Sequence, residues 1–167
     1  MVKIGINGFG RIGRLILRAL LENYKGKIQV VGINDLGSIE ANAHLIKFDS
    51  THGTLNQEVK TSSEGFQIGD QNIKVFAEKD PANLPWGKIG ANVVLECTGF
   101  FLDKSSAGKH IEAGAKKVII SAPAKEVDFT VVQGVNSKDL KKDHNIISNG
   151  SCTTNCLAPV AMVLENT

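Results

Sequence analysis

Six residues constrain this chain more than any others. Gly8-Phe9-Gly10-Arg11-Ile12-Gly13 stand between a short apolar run, Lys3 to Ile6, and a stretch in which Ile12, Leu15, Ile16, Ala19 and Leu20 recur at spacings of three and four. Apolar residues at those spacings make one face of a helix, and a brief Val/Ile-rich run without polar alternation reads as a strand buried on both faces. Gly8 permits a tight turn at the strand end, Gly10 lets a ligand approach the backbone, and Gly13 lets the helix pack closely on the strand. A second run, Gln29 to Ile33, follows the helix, so the opening of the chain is a strand-helix-strand unit of the length a parallel crossover needs.

Further runs of this kind lie at Val93 to Glu96, Lys117 to Ile120, Thr130 to Val132 and Asn145 to Ile147, and Ser105 to Ala113 has the composition of another crossover helix. Strands alternating with helices in a chain of 167 residues predict one α/β domain, a doubly wound (Rossmann) mostly parallel sheet. Gly65 to Phe76 differs, because Phe66 and Ile68, then Gly69-Asp70-Gln71-Asn72, then Ile73 and Val75 give a period-two hairpin. Asp49 to Phe76 is therefore expected as a small antiparallel excursion from the main sheet. Pro81 to Pro85 reads as a loop, and Ser137 to His144, with Lys138, Lys141 and Lys142 among Asp139 and Asp143, as a solvated helix face.

Ligands of such sheets bind beyond the carboxyl ends of the strands. The G-x-G-x-x-G spacing places a helix N-terminus, with its unpaired N–H groups and partial positive charge, where a pyrophosphate would sit. The second run ends at Asn34-Asp35, and Asp35 lies 22 residues past Gly13, at the spacing of a carboxylate that accepts hydrogen bonds from an adenosine ribose. A carboxylate there repels a 2′-phosphate, which selects NAD over NADP. Asp35 also fits an ordinary strand-ending turn. Thr98-Gly99 and Ser121-Ala122-Pro123 follow two other strands, where they suit the wall of the same crevice and plain turns equally.

A formal charge of +2, from 19 basic and 17 acidic residues with scattered lysines, is not the footprint of a nucleic-acid partner. No stretch reaches the roughly 18 apolar residues that a membrane span requires, and the glycine turn follows Met1 too soon for a signal peptide, so an intracellular, cytoplasmic protein is expected. Three cysteines, Cys97, Cys152 and Cys156, suit neither a disulfide framework nor a four-ligand zinc site, and no metal is expected. Cys152 falls between the last strand run and the helical stretch Leu157 to Leu164, at a helix start that favours negative charge, and is the candidate nucleophile. Cys97 and Cys156 read as core thiols. None of His44, His52, His110 and His144 has a context that marks it as the partner base.

Seven motifs together closely resemble the glyceraldehyde-3-phosphate dehydrogenase family: Lys3-Ile4-Gly5-Ile6-Asn7-Gly8-Phe9-Gly10-Arg11-Ile12-Gly13-Arg14; Asn34-Asp35; Asp49-Ser50-Thr51-His52-Gly53; Asp80-Pro81-Ala82-Asn83-Leu84-Pro85-Trp86; Glu96-Cys97-Thr98-Gly99-Phe100-Phe101; Ile120-Ser121-Ala122-Pro123-Ala124; and Ser151-Cys152-Thr153-Thr154-Asn155-Cys156. The resemblance implies that Arg11 and Ile12 bind the NAD pyrophosphate, Asp35 the adenosine ribose, the Glu78-Lys79 backbone the adenine side and Ser121 the nicotinamide side. It further implies that Cys152 attacks the aldehyde of glyceraldehyde 3-phosphate while Ser151 and Thr153 help hold substrate or inorganic phosphate. Residues 1–150 would be the NAD-binding domain and 151–167 the cysteine segment leading into a catalytic domain. Family members are about twice as long, are homotetramers, and carry their general-base histidine and phosphate-binding residues beyond the position of Thr167. Lys79 stands where the family usually has Arg, and Gly150 where Ala is common. Erythrose-4-phosphate dehydrogenases share most of these motifs and remain the neighbouring reading, as does a nucleotide-binding module without turnover.

Overall fold

The computed structural model describes residues 1–166. Strand β1 (Val2–Asn7) passes through the glycine turn into α1 (Arg11–Asn23), and the chain returns along β2 (Ile28–Asn34), parallel to β1. Gly13 sets which face of α1 meets the sheet. A Cβ added there would lie 2.3 Å from the Gly8 carbonyl oxygen, so the helix touches the strand through a glycine, and Leu17, Leu20 and Leu21, one and two turns on, are its buried apolar side chains. The expected stripe is thereby rotated, leaving Ile12 48% exposed and Ala19 in solvent.

Helix α2 (Ile39–Lys47), capped by the Ser38 side chain accepting from the Ala41 N–H, leads to β3 (Phe48–Asp49) and β4 (Gly53–Thr54), a separate antiparallel pair. Buried Arg18 secures this pair by donating to the carbonyls of Ile46, Lys47 and Gly53 at 2.8, 3.1 and 2.9 Å. The chain then forms β5 (Val59–Ser62), β6 (Gly65–Ile68) and β7 (Gln71–Phe76), antiparallel neighbours. The predicted hairpin is β6–β7, and the expected antiparallel excursion comprises β3–β4 as a separate pair and β5–β6–β7, which β7 attaches to the main sheet by running parallel to β2. Burying Ile73, Phe66 and Ile68 in the same core as Ile33 and Ile46 is what ties the hairpin to the sheet.

The second half contributes α3 (Trp86–Ile89), β8 (Val93–Glu96), α4 (Lys104–Glu112), β9 (Lys117–Ile120), β10 (Phe129–Thr130), β11 (Ile146–Ser148) and α5 (Cys152–Glu165). The order β10-β11-β9-β8-β1-β2-β7-β6-β5 has its reversal of direction at β1, between β2 and β8. Ile4, Ile6, Val30 and Ile33 meet α1 and α2 on one face. Trp86, Val94, Val118 and Ile120 lie with α3 and α4 on the other. Trp86 reaches the sheet because Gly5 has no side chain; a Cβ there would stand 2.6 Å from the indole Cζ3. The charged segment forms only a single 3₁₀ turn, Ser137–Asp139, in place of the expected helix, since without an apolar face nothing packs it into a longer one.

Candidate functional site

Strand register lines up the carboxyl ends of the parallel strands. Ser148 pairs with Ile120, Ile120 with Glu96, Glu96 with Asn7, Asn7 with Asn34 and Asn34 with Phe76. Strands spaced ~4.8 Å apart make the row from Asn34 to Ser148 roughly 19 Å long. The residues singled out by the sequence follow directly from this row: Gly8 after Asn7, Asp35 after Asn34, Thr98 two places after Glu96, Ser121 after Ile120, and the Ser151-Cys152-Thr153 segment just past Ser148.

A cleft of about 450 Å³ opens at the reversal point, walled by Gly8, Gly10, Asn34, Asp35, Leu36, Glu78, Lys79, Cys97, Thr98, Phe100 and Phe101 above Asn7. That volume falls in the range of small-molecule sites. Gly8, at φ +89°, brings its backbone against Thr98, where a Cβ would sit 2.7 Å from the Thr98 nitrogen. Gly10 caps α1 without a side-chain hydrogen bond, no acidic residue occupies the first turn, and nothing lies within 4 Å of the place its Cβ would take. A bare helix N-terminus under open space fits a pyrophosphate. Asp35 is held beside it: its Oδ2 accepts from the Phe9 N–H and its Oδ1 from the Gly37 N–H, both at 2.8 Å. Each oxygen keeps a lone pair for a hydroxyl donor, and the carboxylate offers nothing to a second phosphate. The walls therefore suit NAD.

Of the expected residues, Gly8, Gly10, Asp35, Lys79 and Thr98 line this cleft. Arg11 does not use its side chain there, because the guanidinium donates to Asp49 at 2.5 Å and lies 3.4 Å from His52 Nδ1, leaving the backbone N–H for an anion. The His52 and Thr51 backbone N–H groups and the Arg11 charge hold the Asp49 carboxyl well below the usual carboxylate range. Ile12 and Gly13 form the first turn of α1, and Gly99, at φ +78°, makes the bend after Thr98. Ser121 donates its backbone N–H to the Glu96 carbonyl, and its side chain partly offsets the upward push that burial gives the Cys97 thiol.

The cysteines divide differently from expectation. Cys152 is exposed at the first position of α5, where the Ser151 side chain accepts from the Thr154 N–H at 2.9 Å and lies 2.8 Å from Thr153 Oγ1. Cys156 is also exposed, not core, because α5 keeps none of its residues buried; Leu157 is 67% exposed. Cys97 sits just beyond β8, and burial pushes its thiol up to about 11. The histidines are apart from Cys152: His44 is in α2, His52 in the β3–β4 turn and His144 stacked on Phe129. His110 is fully buried between Trp86 and Glu96.

Sequence reasoning missed Leu36 and Phe100, which bring exposed apolar side chains to the mouth of the cleft, 64% and 85% accessible. Their signal was faint: large apolar residues in turns, with no periodicity around them.

A family model described as "Glyceraldehyde 3-phosphate dehydrogenase, NAD binding domain" matches residues 2–104. Proteins named glyceraldehyde-3-phosphate dehydrogenase are similar along the whole chain. The one from Zymomonas mobilis is 57% identical over 165 residues, 98% of this chain and 49% of the relative. Those from Geobacillus stearothermophilus, 56% identical over 98% of this chain, and Xanthobacter flavus, 53% identical over 99%, are also matched over 49% of their own length. The chain thus spans about half the length of these relatives. With the bare helix N-terminus, the aspartate beside it and the family match over the same residues, the chain belongs to the NAD-binding domain family of glyceraldehyde-3-phosphate dehydrogenases, and its cofactor is NAD.

Proposed function

We propose that this chain is the cofactor-binding and nucleophile-bearing half of a phosphorylating aldehyde dehydrogenase acting on glyceraldehyde 3-phosphate in glycolysis. The observation that carries this reading is the position of Cys152: exposed, at a helix N-terminus, and at the end of the strand-end row that bears the NAD cleft. In this reading residues 1–150 hold NAD and 151–167 begin the substrate side. Gly8, Gly10 and Gly13 shape the turn, the Arg11 and Ile12 backbone binds pyrophosphate, Asp35 binds the adenosine ribose, Lys79 with Glu78 borders the adenine, Thr98 and Gly99 wall the cleft, and Ser121 faces the nicotinamide.

Bound NAD supplies a hydride acceptor. The protein's own contribution starts with the Cys152 Sγ, which as thiolate attacks the aldehyde carbon while the carbonyl oxygen takes up a proton, giving a thiohemiacetal; departure of the carbon-bound hydrogen as hydride and of the hydroxyl proton to a general base on the remaining half would leave a thioester. An oxygen of inorganic phosphate then adds to the thioester carbonyl carbon, the Cys152 thiolate leaves, and an acyl phosphate is released. Ser151 and Thr153 flank Cys152 in the chain with their hydroxyl oxygens 2.8 Å apart, and in this reading they hydrogen-bond substrate or phosphate oxygens. The full-length enzyme in this reading is a cytoplasmic homotetramer.

Among the described residues no hydrogen bond joins Cys152 to a histidine. General-base assistance is worth about 10² to 10⁴ in rate, so the 167-residue chain alone should bind NAD without steady turnover. NADH absorbance with aldehyde, phosphate and NAD tests both statements. Joined to the remaining half of the Zymomonas mobilis relative, the chain should form NADH in a phosphate-dependent way that Cys152→Ser abolishes. Turnover indifferent to phosphate would reject the phosphorylating reading. Steady turnover by the chain alone, lost in Cys152→Ser, would show that the base lies within it.

A further inference from the structure

Beneath the cleft lies a buried polar chain whose hydrogen-bond direction is fixed from both ends. At one end the backbone N–H of Glu78, which can only donate, donates to Asn34 Oδ1 at 2.8 Å. The Asn34 amide nitrogen must then be the donor, to the Glu78 carbonyl at 2.8 Å and to Asn7 Oδ1 at 2.7 Å. Asn7 is thereby oriented too, and its Nδ2 donates to Glu96 Oε2 at 2.6 Å. At the other end the Trp86 indole N–H, again only a donor, reaches His110 Nδ1 at 3.0 Å. His110 is therefore neutral with its proton on Nε2, which donates to the same Glu96 Oε2 at 2.9 Å. The other oxygen, Oε1, receives the Thr98 N–H at 2.7 Å and the Thr98 hydroxyl at 2.5 Å, while the hydroxyl oxygen accepts from the Phe100 N–H at 3.1 Å.

Four donors thus converge on one carboxylate that is 1% exposed and, among the described residues, has no cation paired with it, since His110 is held neutral. An ion buried without a counter-ion is retained at a cost, and only its hydrogen bonds offset that cost. What those bonds organise is the NAD cleft. One donor path leads through Asn7 and Asn34 to the Glu78-Lys79 wall, the other through Thr98 to the Phe100 wall. We infer that Glu96 is a positioning residue for NAD: by accepting from both paths it sets the spacing of the two walls without itself lining the cleft. The inference rests on the cleft being the NAD site.

Glu96→Gln tests it, being nearly isosteric but unable to accept four donors; its amide must turn N–H groups toward either Thr98 or the Asn7 and His110 donors. NAD affinity, measured by calorimetry on the 167-residue chain, should fall at least tenfold. The double variant Asn7→Asp/Glu96→Gln moves the acceptor one strand over. The carboxylate introduced at position 7 can accept from Asn34, from His110 Nε2, 3.4 Å from the present Asn7 nitrogen, and from the new amide at position 96, whose oxygen keeps Thr98. This variant should recover most of the lost affinity, and nitrogen NMR should show His110 protonated on Nε2 alone in the unsubstituted chain and the double variant. Thermal unfolding of the ligand-free chains confirms that each variant is folded. Wild-type affinity in Glu96→Gln would overturn the inference, as would a double variant that binds no better than the single one or a His110 protonated on Nδ1. If Glu96→Gln does not fold, recovery of NAD binding in the double variant decides the matter alone. Failure of the unsubstituted chain to bind NAD would overturn the cofactor reading and the positioning role with it, whereas tight binding combined with an unaffected Glu96→Gln would overturn the positioning role alone.

Discussion

At the residue scale the three glycines of the first turn do separate work, and substitution distinguishes them. A Cβ at Gly13 would meet a backbone oxygen at 2.3 Å that cannot move without moving the turn, whereas Gly10 has open space above it and ordinary φ −70°. Gly13→Ala should therefore destabilise the chain by about 1–3 kcal/mol, the usual range for overpacking, in urea unfolding. Gly10→Ala should change stability by less than about 1 kcal/mol, as surface substitutions do, yet weaken NAD by calorimetry if its methyl enters the place proposed for the pyrophosphate. Loss of stability in both would mean that the turn needs Gly10 for its own conformation. Asp35 makes a parallel prediction: NADP should bind more weakly than NAD, and equal affinities would remove its assigned role. The thiols give a third test. With Cys97 pushed up to about 11 by burial and, to a lesser degree, by the Glu96 charge, brief iodoacetamide treatment at neutral pH should label Cys152 first, Cys156 next and Cys97 least. Labelling of Cys97 should climb as pH approaches 11, since its thiolate grows about tenfold per pH unit below the pKa. Peptide mass spectrometry reads the order, and early labelling of Cys97 would contradict its burial.

At the element scale the strands and crossover helices were legible because burial on both faces leaves an unbroken Val/Ile run, and because α1 and α4 carry their own apolar spacing. What the pattern could not tell was rotation and attachment. α1 turned about its axis because Gly13, not the most apolar stripe, decides closest approach. β7 joined β2 because a period-two strand can pair with whichever edge buries Ile73 and its neighbours. Gly5 in β1 lies within an apolar strand run that gives no sign of its role, which is to be the floor under Trp86. Gly5→Ala should accordingly cost about 1–3 kcal/mol by displacing the indole. Trp86→Phe in the same background should recover part of that loss by removing the ring atoms that clash, while also losing the bond to His110. Additive losses in the double variant, read by denaturant midpoints, would show that the two residues do not meet.

At the scale of the whole molecule, distant segments are joined by a few charged groups. Asp128 accepts the Asn145 and Ile146 N–H groups at 2.8 and 2.9 Å and an ion pair from Lys104 at 2.6 Å, tying α4, β10 and β11 together. The Lys104 bond, then that of Ile146, hold its carboxyl down to about 2 from 3.8. A folded-state value below the unfolded one means that the stabilisation is fully present above about pH 4 and is lost as pH falls from there toward about 2. Asp128→Ala should lower stability at pH 7 by about 1.5–3 kcal/mol, the range for hydrogen bonds to a charged group, and flatten the pH dependence between about 4 and 2. An unchanged acid limb in thermal melts would place the loss elsewhere.

Local chemistry decided what the amino-acid sequence could announce unaided: the strand-turn-helix at Gly8 to Gly13, the carboxylate at Asp35 and the thiol at Cys152 are each recognisable because one short stretch contains everything the feature requires. Tertiary structure decided what depends on residues far apart in the chain. Asn7, Asn34, Glu96, Trp86 and His110 carry no shared spacing, and only parallel pairing of β2, β1 and β8 sets the first three side by side. The exposure of Cys156 and the burial of Arg18 belong here too, since whether a side chain is covered depends on which surface is laid against it, and that is a property of packing between segments that no window of sequence contains.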